Sequence, residues 1–226
     1  NGEPLVREWT KAKTDKPNMT LTERAMATYV RGHLRYVFGG SKDPSFHAPR
    51  PVELRTASER ATAHATELLA NAERPLMVLG SQVMLHPHRV TELVAAVERI
   101  GVPVYLSGMA RGLLGRGHPL QLRHKRREAL KGADVVVLAG VPNDFRLDYG
   151  SHVSRSKVIG INLSKHDLNA NRAPDIGLLA DPHHTLVALS RRLTPKPREA
   201  WMSQLRGRDV AREAEIDTMA AEPSAE

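Results

Sequence analysis

The sequence predicts an α/β fold in which a parallel sheet carries helices on both faces. Three observations predict it. Short apolar runs recur at residues 75–79, 103–106, 134–138, 157–162 and 176–180, and continuous rather than alternating hydrophobicity belongs to strands buried on both faces. Three of these runs stop at small residues, in Gly80-Ser81, Ser107-Gly108 and Ala139-Gly140. The stretches between runs are long enough for crossovers, and several carry helical periodicity, which is the requirement for parallel neighbours.

Taken in order, residues 1–19 are polar, with Lys11, Lys13, Lys16 and Pro17, and read as a linker or the frayed end of a preceding element. From Thr20 to Phe38, Leu21, Ala25, Tyr29 and either Leu34 or Val37 keep a 3.6-residue period, and Gly39 and Gly40 stop it. Gly39-Gly40-Ser41 is read as that stop and not as a phosphate loop, because no strand precedes it and no Lys-Ser/Thr follows. Residues 41–55, with Pro44, Pro49 and Pro51, read as a surface crossing. Thr56-Ala57-Ser58-Glu59 has the spacing of a capping box, opening a helix to about Ala72 that buries Ala61, Ala65, Leu68 and Leu69.

After the first strand, Val90, Leu93, Val94, Val97 and Ile100 make one helical stripe, with Pro87 suited to the first turn and Gly101 placed to end it. A glycine-rich loop and a strongly basic helix separate the second strand from the third. The last strand leads through Asp181-Pro182 into a helix with Leu186, Leu189 and Leu193, and Pro195 and Pro197 end the domain. The expected organisation is an N-terminal arm and linker over residues 1–50, one domain over 51–195, and a C-terminal tail and linker over 196–226.

Composition narrows the function classes. With no cysteine there is no disulfide framework, zinc ribbon or thiol nucleophile, and a cytoplasmic setting is expected. No apolar run approaches the roughly 18 residues of a membrane span, and the first residues lack the apolar core of a signal peptide. The first residue is not Met, so the chain is read as a piece of something longer. A pI near 10.0 invites a nucleic-acid reading, but aromatics are only 4% and single-strand binders need stacking platforms. No nucleic-acid partner is expected.

The charge is concentrated. Residues 111–132 hold seven cations, Arg111, Arg116, Arg123, Lys125, Arg126, Arg127 and Lys131, against Glu128 alone, a local balance of +6 within a chain surplus of +8. Such a cluster beside strand ends predicts an anionic ligand, with a nucleotide phosphate the first candidate. Leu122, Arg126, Ala129, Leu130 and Ala133 would share one helical stripe, which puts the Arg126 guanidinium on the inward face against a carboxylate or a phosphate. Gly80, Ser81, Gly108, Met109, Gly140 and Val141 follow strand ends where a ligand can approach the backbone, and Asn162 and Asp181 offer hydrogen bonds. Asp181 before Pro182 is also a ready N-cap. His86 with His88, and His183 with His184, lack a third ligand at metal spacing and read as surface histidines. Gly112 to Gly117 is no dinucleotide fingerprint, because its glycines are in the wrong order. No nucleophile with a base and no metal motif is visible, so no catalytic residue is expected in this chain.

Four segments carry a resemblance: PLMVLGSQ at 75–82, GMARGLLGRGHPL at 108–120, ALKGADVVVLAG at 129–140 and DFRLDYG at 144–150. They resemble the central domain of thiamine-diphosphate enzymes such as acetolactate synthase, oxalyl-CoA decarboxylase and the 2-hydroxyacyl-CoA lyases. The resemblance implies a deoxyhypusine-synthase-like NAD/FAD-binding fold between a pyrimidine-binding and a diphosphate-binding domain, both outside this chain. Thiamine diphosphate and magnesium would sit in those flanking domains, and the whole enzyme would be a homodimer or homotetramer.

The family's Gly-Asp-Gly…Asn motif and catalytic Glu are missing here, so this segment alone should be inactive. The family's middle domain holds FAD in acetolactate synthase, and holds ADP and contacts CoA in oxalyl-CoA decarboxylase. The matching positions are Gly80, Ser81, Arg126, Gly140, Val141, Asn162 and Asp181. Asn162 stands where an Asp is usual, and Ala180 where a Gly is. The implied function is carbon–carbon cleavage of a 2-hydroxyacyl-CoA, with FAD-dependent carboligation as the alternative. From another class, the alternative is a non-catalytic binding module whose basic helix docks an acidic partner or nucleic acid.

Overall fold

The computed structural model describes residues 3–39 and 54–221, and the chain divides into two compact units, residues 1–52 and 53–226. The surface crossing expected over residues 41–55 lies almost wholly outside the described residues. The first unit contains α1 (Glu3–Thr14) and α2 (Leu21–Phe38). Thr20 opens α2 with a capping box, its hydroxyl accepting from the Glu23 N–H while the Glu23 carboxylate accepts from the Thr20 N–H at 3.0 Å. The face of α2 that is buried runs through Ala27 and Leu34, whereas Leu21, Tyr29 and Val37 are exposed. Of the expected stripe, Leu34 is therefore the member that packs, while Leu21, Ala25, Tyr29 and Val37 face outward.

In the second unit, α3 (Glu59–Asn71) is capped by Ser58, whose hydroxyl accepts from the Ala61 N–H. The cap is therefore two residues later than the spacing from Thr56 suggests, and Glu59 pairs with Arg192 instead. Then follow β1 (Pro75–Leu79), α4 (Val90–Ile100), β2 (Val104–Leu106), β3 (Gln121–Leu122), α5 (Arg126–Gly132), β4 (Val135–Ala139), β5 (Lys157–Asn162), α6 (Lys165–Asn169), β6 (Ile176–Leu179), α7 (Pro182–Arg192) and α8 (Glu199–Ala221). The six strands form one wholly parallel sheet in the order β3-β2-β1-β4-β5-β6. Leu79 stands level with Leu106 on one side and Ala139 on the other, so three strands end at the same height.

Alternate side chains feed two cores, as the two-residue period of a strand requires. Met77, Leu79, Val137 and Ile159 join Leu69, Leu93, Val97 and Leu186 on the face covered by α3, α4 and α7. Leu76, Val78, Val136 and Val158 join Leu130, Trp201 and Leu205 under α5 and α8. Gly101 ends α4 in the left-handed conformation (φ 66°), its N–H donating to the Val97 carbonyl, as its placement predicts.

Two corrections bear on function. The basic helix is only seven residues long, because Gln121 and Leu122 pair with Val104 and Tyr105 as an edge strand and Lys125 takes a left-handed turn (φ 52°) before α5 begins. Leu122 and Arg126 therefore do not share a helical stripe. The stretch after Pro197, expected to be a tail, is a 23-residue helix. Its Trp201 is 5% exposed, donates its indole N–H to the Pro75 carbonyl at 2.9 Å and stacks over Gly132. Arg198 donates to the Leu69 and Ala72 carbonyls, each at 2.9 Å, and so satisfies the open end of α3. No helix among the described residues is long and apolar enough to cross a membrane.

Candidate functional site

From the central pair β1 and β4 the strand order runs outward in opposite directions, and in open parallel sheets a ligand crevice forms beyond the carboxyl ends at such a switch. The turns that leave these two strands meet there. A Cβ built on Gly80 would lie 2.3 Å from the Gly140 carbonyl oxygen and 2.5 Å from the Val141 side chain. Gly140 is left-handed (φ 66°), and a Cβ on it would lie 2.7 Å from that of Gln82. The left-handed Gly108 (φ 56°) abuts the Ser81 hydroxyl, which accepts the Met109 N–H at 3.2 Å. The structure thus brings Gly80, Ser81, Gly108, Met109, Gly140 and Val141 into one strip, with the Met109 side chain 71% exposed.

Asn162 is 1% exposed, and its side-chain Oδ1 accepts from Gln82 Nε2 and from the Ser164 N–H, both at 2.9 Å. Gln82 in turn accepts the Leu163 N–H at 3.0 Å. Gln82, which sequence reasoning missed, therefore ties the turn after β1 to the turn after β5. The only signal for it is its place directly after Gly80-Ser81. The Asn162 amide nitrogen, and both polar atoms of the buried Asn143 side chain, have no hydrogen-bond partner among the described residues. Both residues border a small cavity of about 10 Å³, the scale of a single water.

Arg126 stands at the first turn of α5, half-buried, and donates to the Arg146 carbonyl at 3.0 Å. It is neither fully inward nor held by a carboxylate. Beside it a cavity of about 530 Å³ opens at the ends of β2 and β3, lined by Tyr105, Leu106, Leu122 and the arginines Arg111, Arg123 and Arg126. Burial first, then the negative charges of Asp209 and Glu128, push the Tyr105 phenol up, so it remains a donor, here to the His124 carbonyl at 2.6 Å.

Part of the basic window is neutralised from α8. Arg123 pairs with Glu213, and the backbone N–H groups of Arg123 and His124 donate to Asp209 at 2.9 and 2.6 Å. Arg111 and Arg126 have no carboxylate partner among the described residues, so the positive potential of this cavity rests on them.

Asp181 is fully buried. One oxygen caps α7 through the His184 N–H at 2.9 Å, the other lies 3.0 Å from His86 Nε2, and its own N–H donates to the Arg55 carbonyl. The expectation of surface histidines holds only for His88. The His86 side chain is 11% exposed, and His183 is wholly buried with Nε2 at 3.3 Å from Glu92. That contact, ahead of the nearby charges, draws the Glu92 carboxyl down. Sequence spacing could not show this, since His86 and Asp181 lie 95 residues apart.

The loop after β4 holds a further titrating group. His152 borders a cavity of about 330 Å³ together with Lys131 and Arg155. Burial, reinforced by Arg127 and Lys131 and opposed by Asp148, holds its imidazole below the ordinary value of 6.5. Below pH 6.5 the unfolded chain then binds more protons at this residue than the native state does. The stabilisation is full above pH 6.5 and is lost as the pH falls through the depressed folded value. Melting temperature should fall between pH 7 and 5, and His152→Gln should flatten that slope. Equal slopes for the two proteins would contradict the assignment.

Residues 62–189 match the family described as thiamine pyrophosphate enzyme, central domain. The chain is 39% identical over 217 residues to 2-hydroxyacyl-CoA lyase 2 of Homo sapiens, a match that covers 93% of this chain and 34% of that protein. It is 38% identical over 201 residues to 2-hydroxyacyl-CoA lyase 2 of Caenorhabditis elegans, covering 85% and 31%. It is 35% identical over 136 residues to an acetolactate synthase large subunit of Mycobacterium tuberculosis, covering 60% and 25%. The chain spans about a third of the length of these lyases. With an all-parallel sheet, a glycine-lined switch point and a family match over more than half its residues, the chain belongs to the thiamine pyrophosphate enzymes, as their central domain.

Proposed function

We propose that this chain is the middle domain of a lyase that cleaves 2-hydroxyacyl-CoA to an aldehyde and formyl-CoA, and that it holds the adenine-nucleotide part of CoA, or ADP or FAD. The observation that carries the binding role is the cavity at the ends of β2 and β3, where Arg111 and Arg126 stand without carboxylate partners beside the glycine strip. Charge-assisted hydrogen bonds to phosphate are the strongest contacts such groups make. Asn162 is turned inward onto Gln82 and Ser164, so the ligand would be recognised by its phosphates and by backbone groups of the strip. Bound thiamine diphosphate, with magnesium, would supply the carbanion chemistry in the flanking domains. The residues of this chain would position the substrate, and the domain alone would be inactive.

Calorimetric titration of the chain with ADP, CoA and FAD at physiological salt tests the reading. Binding of ADP or CoA without FAD supports the lyase, and binding of FAD alone supports a carboligase of the acetolactate synthase kind. Arg111→Ala and Arg126→Ala should each weaken binding about 10- to 100-fold, the range expected for one charged hydrogen bond of about 1.5–3 kcal/mol. Absence of binding by all three nucleotides would overturn the nucleotide role.

A further inference from the structure

We infer that His86, Asp181 and His184 form a binding site for a divalent cation of the zinc class. Their ligand atoms all lie within 4.8 Å of one another. His86 Nε2 is 3.0 Å from Asp181 Oδ2, His184 Nδ1 is 3.3 Å from Asp181 Oδ1, and the two imidazole centroids are 4.7 Å apart. A cation about 2 Å from two nitrogens and one oxygen needs donors roughly 3–4 Å apart, a spacing this set reaches with small ring rotations. Two imidazoles and one carboxylate are a donor set that zinc takes, with the fourth position left to water.

The surroundings fix the ligands as an outer shell does. The His184 backbone N–H holds Asp181 Oδ1, which leaves Oδ2 facing His86. The opposing feature is Arg89, whose guanidinium lies 2.7 Å from His184 Nε2. Once Nδ1 donates its lone pair to a cation, the ring proton must sit on Nε2 and this contact is lost. Arg89 already pairs with Glu92 at 2.7 Å and keeps that partner. The cation would join the turn after β1 to the first turn of α7 and so close that end of the crevice.

The test uses the chain freed of any affinity tag and stripped with EDTA. Co²⁺ is titrated and followed by its visible ligand-field absorption, then displaced with Zn²⁺. One ion per chain is expected, with four-coordinate spectra. His86→Ala and His184→Ala should each weaken uptake by at least about 100-fold, the upper end of what even an outer-shell change costs. The exposed His64→Ala should leave it unchanged. Zn²⁺ should raise the melting temperature of the parent chain but not of His86→Ala. Asp181 also caps α7, so the two histidine variants carry the test in case Asp181→Asn fails to fold. Absence of stoichiometric uptake, or uptake unaltered in both histidine variants, would overturn the site.

Discussion

Replacing Trp201 by alanine should lower the unfolding free energy by about 3–5 kcal/mol, the usual cost of truncating a buried aromatic. Trp201 lies in the second core and closes over α5 so tightly that a Cβ on Gly132 would come within 3.2 Å of its ring. Its removal leaves both a cavity and an unsatisfied Pro75 carbonyl at the start of β1. Trp201→Phe separates the two contributions, since it keeps most of the packing and loses only the hydrogen bond, for about 1 kcal/mol. Urea titration of both variants checks this. If Trp201→Ala shifts the midpoint no more than an exposed substitution, α8 is not part of the folded core.

The second large effect is expected at the switch point. Gly80→Ala must place a methyl group 2.3 Å from a backbone oxygen of the neighbouring turn, and no flexible side chain can yield to relieve it. Overpacking usually costs about 1–3 kcal/mol, and a clash with backbone belongs at or above the top of that range. The turns after β1 and β4 would be forced apart, so nucleotide binding should fall together with stability. Gly112→Ala is the control. A Cβ there meets nothing within 4 Å, and the change should stay within about 0.5 kcal/mol. Equal stability for the two variants would show that the turns are not in contact in solution.

Much of this architecture was legible in the residues. Five of the six strands announce themselves as unbroken apolar runs, which belong to strands covered on both faces, although in β6, at the sheet edge, only Ile176 and Leu178 are buried. The glycines at their ends are visible for the same reason, as abrupt stops. β3 was not legible, since two residues at a sheet edge carry no period. Neither was α8. Only Trp201 and Leu205 are buried along its 23 residues, while Val210 and Met219 are exposed, so its sequence resembles a charged linker.

The same gap explains why Arg126 is half-buried and not fully inward: residues 121–125 fold as an edge strand and a left-handed turn, so no helical stripe runs from Leu122 to Arg126. In α2 the period was legible but only its Leu34 alternative packs, because Leu21, Tyr29 and Val37 stand on the exposed side. The histidines around Asp181 meet only through tertiary structure, which local spacing does not encode.

The bond from Trp201 to Pro75 joins groups 126 residues apart, the last helix to the first strand. During synthesis the chain emerges from its N-terminus, so the strand that founds the sheet is made long before the helix that covers its starting end. Until residue 205 has left the ribosome, Leu76, Val78 and Val136 lack the Trp201 and Leu205 side chains that complete their core. The sheet can therefore assemble early but finishes late, and its second face is the one a nascent chain leaves open to chaperones.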